Sequence, residues 1–129
     1  MQIKLSSVMV DDQEKALAFY TAVLGFEKKA DIPMGPHFRW LTVASPDGLD
    51  GAELVLELTD FPASRTYQKA RFDAGIPAVA FITDDIEAEY RRLKDAGVTF
   101  RGEPEAMGPI IAAVFEDNCG NLVNLVQPS

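Results

Sequence analysis

The chain has 129 residues, a net charge of −8 and a single cysteine. That length suits one domain with a real hydrophobic core. The acid excess argues against binding a phosphate backbone, which needs clustered Lys and Arg, and one cysteine excludes an internal disulfide or a Cys-rich zinc site. With 47% hydrophobic and 25% charged residues the composition is that of an ordinary globular chain. No run nears the 18 apolar residues of a membrane helix, and Met1 to Ser6 hold no apolar secretion segment. A cytoplasmic protein with neither nucleic-acid nor membrane partners is expected.

Charge is spread along the chain, with 10 acids and 5 bases in residues 1–64 and 10 acids and 7 bases in 65–129. The excess reads as a solvated surface or as attraction for a cationic ligand.

Residues 3–10 predict a strand. Asp11-Asp12-Gln13-Glu14 follows, where Asp11 and Glu14 have capping-box spacing. Ala16, Phe19, Tyr20, Val23 and Leu24 form one buried helical stripe, and Gly25 is placed to stop it. Strands are predicted over 26–32, 37–44 and 52–58. A loop at Pro33, Gly35 and Pro36 and a turn at Ser45-Pro46-Asp47-Gly48 separate them. Residues 64–74 suggest a short helix before Gly75 and Pro77.

The pattern then starts again. Residues 78–83 predict a strand and Asp84-Asp85-Ile86-Glu87 repeats the cap. Ile86, Tyr90 and Leu93 give a helical stripe, and Gly97 closes it. Strands follow over 98–101, 110–115 and 121–127, with a loop at Pro104 to Pro109 and a turn at Glu116 to Gly120. Asp11 and Asp84 lie 73 positions apart, and Gly25 and Gly97 lie 72 apart. Each half reads strand–helix–strand–strand–strand, an internal repeat. Its boundaries are about 1–60 and about 77–129, joined by a linker at about 61–76, within one domain over 1–129.

Several segments carry a family resemblance: Val8-Met9-Val10-Asp11-Asp12, Phe19-Tyr20, Val23-Leu24-Gly25-Phe26, Ala80-Phe81-Ile82-Thr83-Asp84-Asp85 and Asp117-Asn118-Cys119-Gly120-Asn121. In this order they resemble the vicinal oxygen chelate superfamily, also called the glyoxalase/bleomycin resistance/dioxygenase superfamily. The last resembles the family's Asp-Pro-x-Gly-Asn turn, with Asn118 in place of proline. The resemblance implies an α+β fold of two tandem βαβββ modules, cupped around a central cavity, and often a homodimer.

It also implies a divalent-metal site with ligands on the first and fourth strand of each module. Here the first-strand positions hold Leu5 and Ala78, which cannot ligate a metal. The fourth-strand positions hold Glu57 and Asn124. One carboxylate and one amide are too few for a hard cation. No metal or other cofactor is therefore expected, and Glu57 is the one strong ligand of the family type.

Strand alternation turns Leu54, Leu56 and Leu58 toward the helix and Glu53, Val55 and Glu57 toward the cavity. Ser7, Phe38, Trp40, Thr42 and Asn124 join the cavity side. Glu57 is a candidate ligand-binding carboxylate or general base, and otherwise a hydrated group. Trp40 is a stacking surface or a core residue. Asn124 orients a polar group or makes a structural hydrogen bond. His37 is a loop histidine or a base on a lid. Arg39 is expected in a surface or dimer salt bridge, Cys119 is incidental, and Phe19 and Tyr20 belong to the core.

The expected protein binds a small organic molecule through Glu57, Trp40, Phe38, Asn124 and Ser7, and pairs with itself. One alternative is a metal-dependent enzyme of the same superfamily with an altered ligand set, either a lyase or isomerase of glyoxalase type or an extradiol-type dioxygenase. Another is a dimeric interaction module with a filled cavity.

Overall fold

Val8 and Val10, Leu41 and Val43, and Leu54 and Leu56 each occupy every second position of a strand, and all are buried. Two-residue spacing puts such side chains on one face of a sheet. The stripe of Ala16, Phe19 and Tyr20 closes over that face. The computed structural model describes residues 1–129. These fall into two compact units, 1–66 and 67–129.

The first unit holds β1 (Leu5–Val10), α1 (Gln13–Ala18), β2 (Glu27–Pro33), β3 (Arg39–Ala44) and β4 (Glu53–Leu58). Its sheet has the order β1-β4-β3-β2, with β1 and β4 parallel and the other pairs antiparallel. α1 continues into a wider helical turn over Phe19–Val23 and packs on β3 and β4. Tyr20 sits fully buried, with Phe19 edge-on at 5.7 Å and Phe26 stacked at 6.3 Å between ring centroids.

α2 (Pro62–Asp73) crosses the boundary between the units. The second unit then repeats the plan with β5 (Val79–Ile82), α3 (Ile86–Asp95), β6 (Glu105–Met107), β7 (Ile110–Glu116) and β8 (Leu122–Pro128). Its sheet order, β5-β8-β7-β6, matches the first, again with one parallel pair. The fold is α+β, two tandem βαβββ modules. Gly25 and Gly97 end the helical segments at the same φ of +89°, which an L side chain resists.

Three sequence expectations change. The helix caps are the second aspartates: Asp12 accepts from the Lys15 N–H at 3.0 Å and Asp85 from the Ala88 N–H at 3.1 Å. Asp11 instead pairs with Lys15, and Glu14 with Arg39. Residues 98–101 make only a bridge, Phe100 to Phe115, because Phe100 serves as a core ring between Tyr90 and Phe115. The module's second strand is β6, inside the expected loop. Gly108 and Pro109 are the turn of a tight hairpin in which Met107 pairs with Ile110.

Two polar clusters hold the strands in register. The β3–β4 ladder pairs only Thr42 with Val55 and Val43 with Leu54. Beyond it the strands part, and the buried Gln13 carboxamide fills the gap. Its Nε2 donates to the Arg39 carbonyl at 2.8 Å and the Leu56 carbonyl at 2.9 Å, and its Oε1 accepts from the Arg39 N–H at 3.1 Å. In the second unit the buried Asp117 carboxylate accepts from the Cys119 and Asn121 N–H groups and from Asn121 Nδ2. Gln68 of α2 donates to the Cys119 carbonyl and to Asn121 Oδ1, both at 3.1 Å. In this turn Asn118 has a φ of +61°, which proline cannot adopt. The departure from the family's proline is therefore a different turn conformation.

Gln13→Ala removes the partner of three backbone groups, one buried and two part-buried. The expected loss is about 2–3 kcal/mol in urea unfolding; a loss under about 0.5 kcal/mol contradicts the role. Asn118→Pro is expected to lower Tm by several degrees, while Asn118→Gly leaves it nearly unchanged. Equal Tm for the two variants would contradict the left-handed turn.

Candidate functional site

The face of the first sheet that points away from α1 has no helix of its own unit over it. Register assigns the side chains that share it. Met9 pairs with Glu57 across the parallel β1–β4 ladder, and Ile32 pairs with Trp40 across β2–β3. Continuing the Thr42–Val55 register by two residues sets Trp40 opposite Glu57, across the gap that Gln13 fills. One row of side chains, Met9–Glu57–Trp40–Ile32, thus crosses all four strands. The adjacent row is Ser7–Val55–Thr42–Ala30.

The two carboxylates of β4 differ. Glu53 accepts a hydrogen bond from the Thr42 hydroxyl at 2.6 Å, and Thr42 in turn accepts from the Ala30 N–H at 3.0 Å. Glu57 is exposed and makes neither an ion pair nor a hydrogen bond. Trp40 and Met9 are half-buried, while Ile32 and Leu5 are each 53% exposed. This arrangement offers a flat apolar surface, an indole face and one uncommitted negative charge.

The remaining candidates lie outside that row. Ser7 lies on the same face, exposed, one row from Glu57. Phe38 stands just before β3, where its carbonyl accepts from the Met34 N–H at 2.9 Å. With His37, Asp11, Asp12, Glu14 and Arg39 it lines a depression of about 400 Å³ at the start of α1. Arg39 pairs within its own chain, with Glu14 at 2.8 Å and Asp31 at 3.2 Å. Asn124 belongs to the second unit, beside Ala80 and Val114 on the face away from α3. Its Oδ1 is buried with no hydrogen-bond donor, a state costing about 1–3 kcal/mol. Ile82 and Met107 lie on that face, 66% and 58% exposed. Cys119 is buried in the Asp117 turn.

The family's metal does not fit these residues. Leu5 pairs with Glu53, not Glu57, and the β1 neighbour of Glu57 is a thioether. Asn124 has only Ala80 and Val114 beside it. Nowhere do three or more His, Cys, Asp or Glu side chains converge as a metal would require. No helix is long and apolar enough to cross a membrane.

Gln13 escaped the sequence reading. A glutamine at the first position of a helix looks like a solvated residue, and its role emerges only from the break in the β3–β4 ladder. Because it grips the Arg39 backbone, it fixes the start of the strand that presents Trp40.

Comparison with known proteins agrees with this architecture. The model of the Glyoxalase/Bleomycin resistance protein/Dioxygenase superfamily matches residues 2–125. YurT, an uncharacterized protein of Bacillus subtilis (strain 168), is 54% identical over 127 residues, covering 98% of this chain and 99% of the relative. The crystal structure of UcmS2 has a TM-score of 0.82 at 33% identity, covering 98% of this chain and 97% of that one. TnmS3, an antibiotic binding protein from Streptomyces sp. CB03234, has a TM-score of 0.76 at 36% identity, covering 100% of this chain and 97% of that one. Two βαβββ modules and a family match spanning almost every residue lead to one conclusion: the chain belongs to the glyoxalase/bleomycin resistance protein/dioxygenase superfamily.

Proposed function

We propose that this protein binds a small organic molecule on the open faces of its sheets, with Trp40 and Glu57 as the main contacts, and that binding rather than metal catalysis is its function. The observation that carries this reading is the row Met9–Glu57–Trp40–Ile32, in which an uncommitted carboxylate lies among apolar side chains. Mostly apolar surfaces with few polar groups are the usual form of small-molecule sites. The likeness to TnmS3, an antibiotic binding protein, supports the same reading. Ser7, one row from Glu57, gives the ligand a further polar contact, and Phe38 extends the surface beyond Trp40; on the second unit's own face Asn124 offers a polar contact of the same kind. A single cysteine, Cys119, that is buried fits a cytoplasmic setting.

Thermal-shift screening of polycyclic natural products tests this directly. A hit is expected to lose about tenfold or more in affinity with Trp40→Ala and several-fold with Glu57→Gln, while both variants unfold like the parent. Unchanged affinity in both would sink the assignment. Elemental analysis of untagged protein addresses the enzyme alternative. A stoichiometric divalent metal that disappears in Glu57→Ala would favour a lyase, isomerase or dioxygenase.

A homodimer belongs to the same proposal. Leu5, Ile32, Ile82 and Met107 are apolar and more than half exposed on open sheet faces, and each such side chain gains about 1.5–3 kcal/mol when fully buried. A second copy is the occupant that covers those which the ligand leaves exposed. Light scattering is expected to give about 28 kDa, twice the 14.1 kDa chain; a concentration-independent mass near 14 kDa would rule the dimer out.

A further inference from the structure

We infer that the ligand is an organic cation: a flat apolar molecule carrying a protonated or quaternary nitrogen, with that charge seated between Glu57 and Trp40. The inference rests on the binding function proposed above and adds the charge class that the site selects.

The first unit commits all but one of its strand carboxylates. Glu27 pairs with Lys29, Asp31 with Lys28 and Arg39, and Glu53 takes the Thr42 hydroxyl. Glu57 alone among them has no cation and no donor. It also stands on the face that register reserves for Leu5, Met9, Val55, Trp40 and Ile32. The base nearest that face, Lys29 at the β2 bulge, is paired with Glu27, and no Lys, Arg or His stands in the row of Glu57 or in the adjacent row of Val55.

Three classes of ligand can then be compared. An anion brought onto this face meets an uncompensated carboxylate in a setting that its own apolar body makes drier. A neutral molecule strips water from Glu57 and leaves the charge unpaired, which is costly. A cation offsets that cost through charge pairing and also gains from the indole face, where cation–π attraction is strongest among the aromatic side chains. The polarizable Met9 thioether, beside Glu57 in the ladder, suits contact with flat rings.

The net charge of −8 adds long-range attraction for the same class.

Trp40 is the only tryptophan, so its emission reports directly on this row. Three tricyclic probes of nearly equal size separate the charge classes: N-methylacridinium (cation), N-methylacridone (neutral) and acridone-4-carboxylate (anion). Titrations followed by Trp40 emission and by calorimetry, on the parent protein and on Glu57→Gln, form the test. The cation is expected to bind at least tenfold more tightly than the neutral probe, and the anion most weakly. Glu57→Gln is expected to weaken the cation about tenfold and leave the neutral probe unchanged, and raising salt should weaken the cation alone. Equal or tighter binding of N-methylacridone, or an equal effect of Glu57→Gln on both probes, overturns the charge assignment while leaving small-molecule binding intact. Saturable binding of none of the three overturns both.

Discussion

Each four-stranded sheet carries apolar side chains on both faces, and the helix of its own module covers only one of them. β4 states the constraint most plainly. Leu54 and Leu56 lie under α1, Val55 between them is also buried, and Glu57 ends the outer series. A strand with one wet face would alternate more strictly between apolar and polar residues. The outer face is thus built to be covered by something other than α1. Repetition of the plan in the second unit, with Ile82 and Met107 on its outer face, means that the chain carries this requirement twice.

Presentation of the outer face depends on polar interactions placed on the inner side. The Gln13 carboxamide spans the point where β3 and β4 separate and ties the Arg39 backbone to Leu56. Trp40 is the next residue, so its position follows from a side chain that never reaches the open face. Arg39 strengthens the same end of the strand by pairing with Glu14 and Asp31. In the second unit the Asp117 turn closes the β7–β8 hairpin and so fixes the register that sets Asn124 opposite Val114.

Much of the fold is legible in the sequence because its signals are local and redundant. The helical stripe through Ala16, Phe19 and Tyr20, the glycines at 25 and 97 and the alternation in β4 each arise from neighbours in the chain. What was not legible depends on distant partners. The cap is Asp12 rather than Asp11 because Asp12 holds the extended backbone next to the first helical residue, Gln13. β6 was hidden because Gly108 and Pro109, strong loop signals, are the turn of a hairpin whose first strand is only three residues long. Gln13 was invisible because nothing local marks a gap in a ladder. Strand parity put Trp40 and Glu57 on one face, but their shared row follows only from the register of β3 on β4.

Loss of the metal positions and retention of a lone carboxylate point the same way. With Met9 beside Glu57 and Ala80 beside Asn124, neither position gains a second metal ligand across its parallel ladder, which supports the proposed binding of a molecule. The measurement closest to this claim is a ¹⁵N–¹H correlation titration with a ligand found by thermal shift. Trp40 gives the only indole N–H signal. The account requires that signal to move together with the backbone amides of Met9, Val55 and Glu57. Shifts confined to Asp12, Glu14 and His37, around the depression at the start of α1, would contradict it.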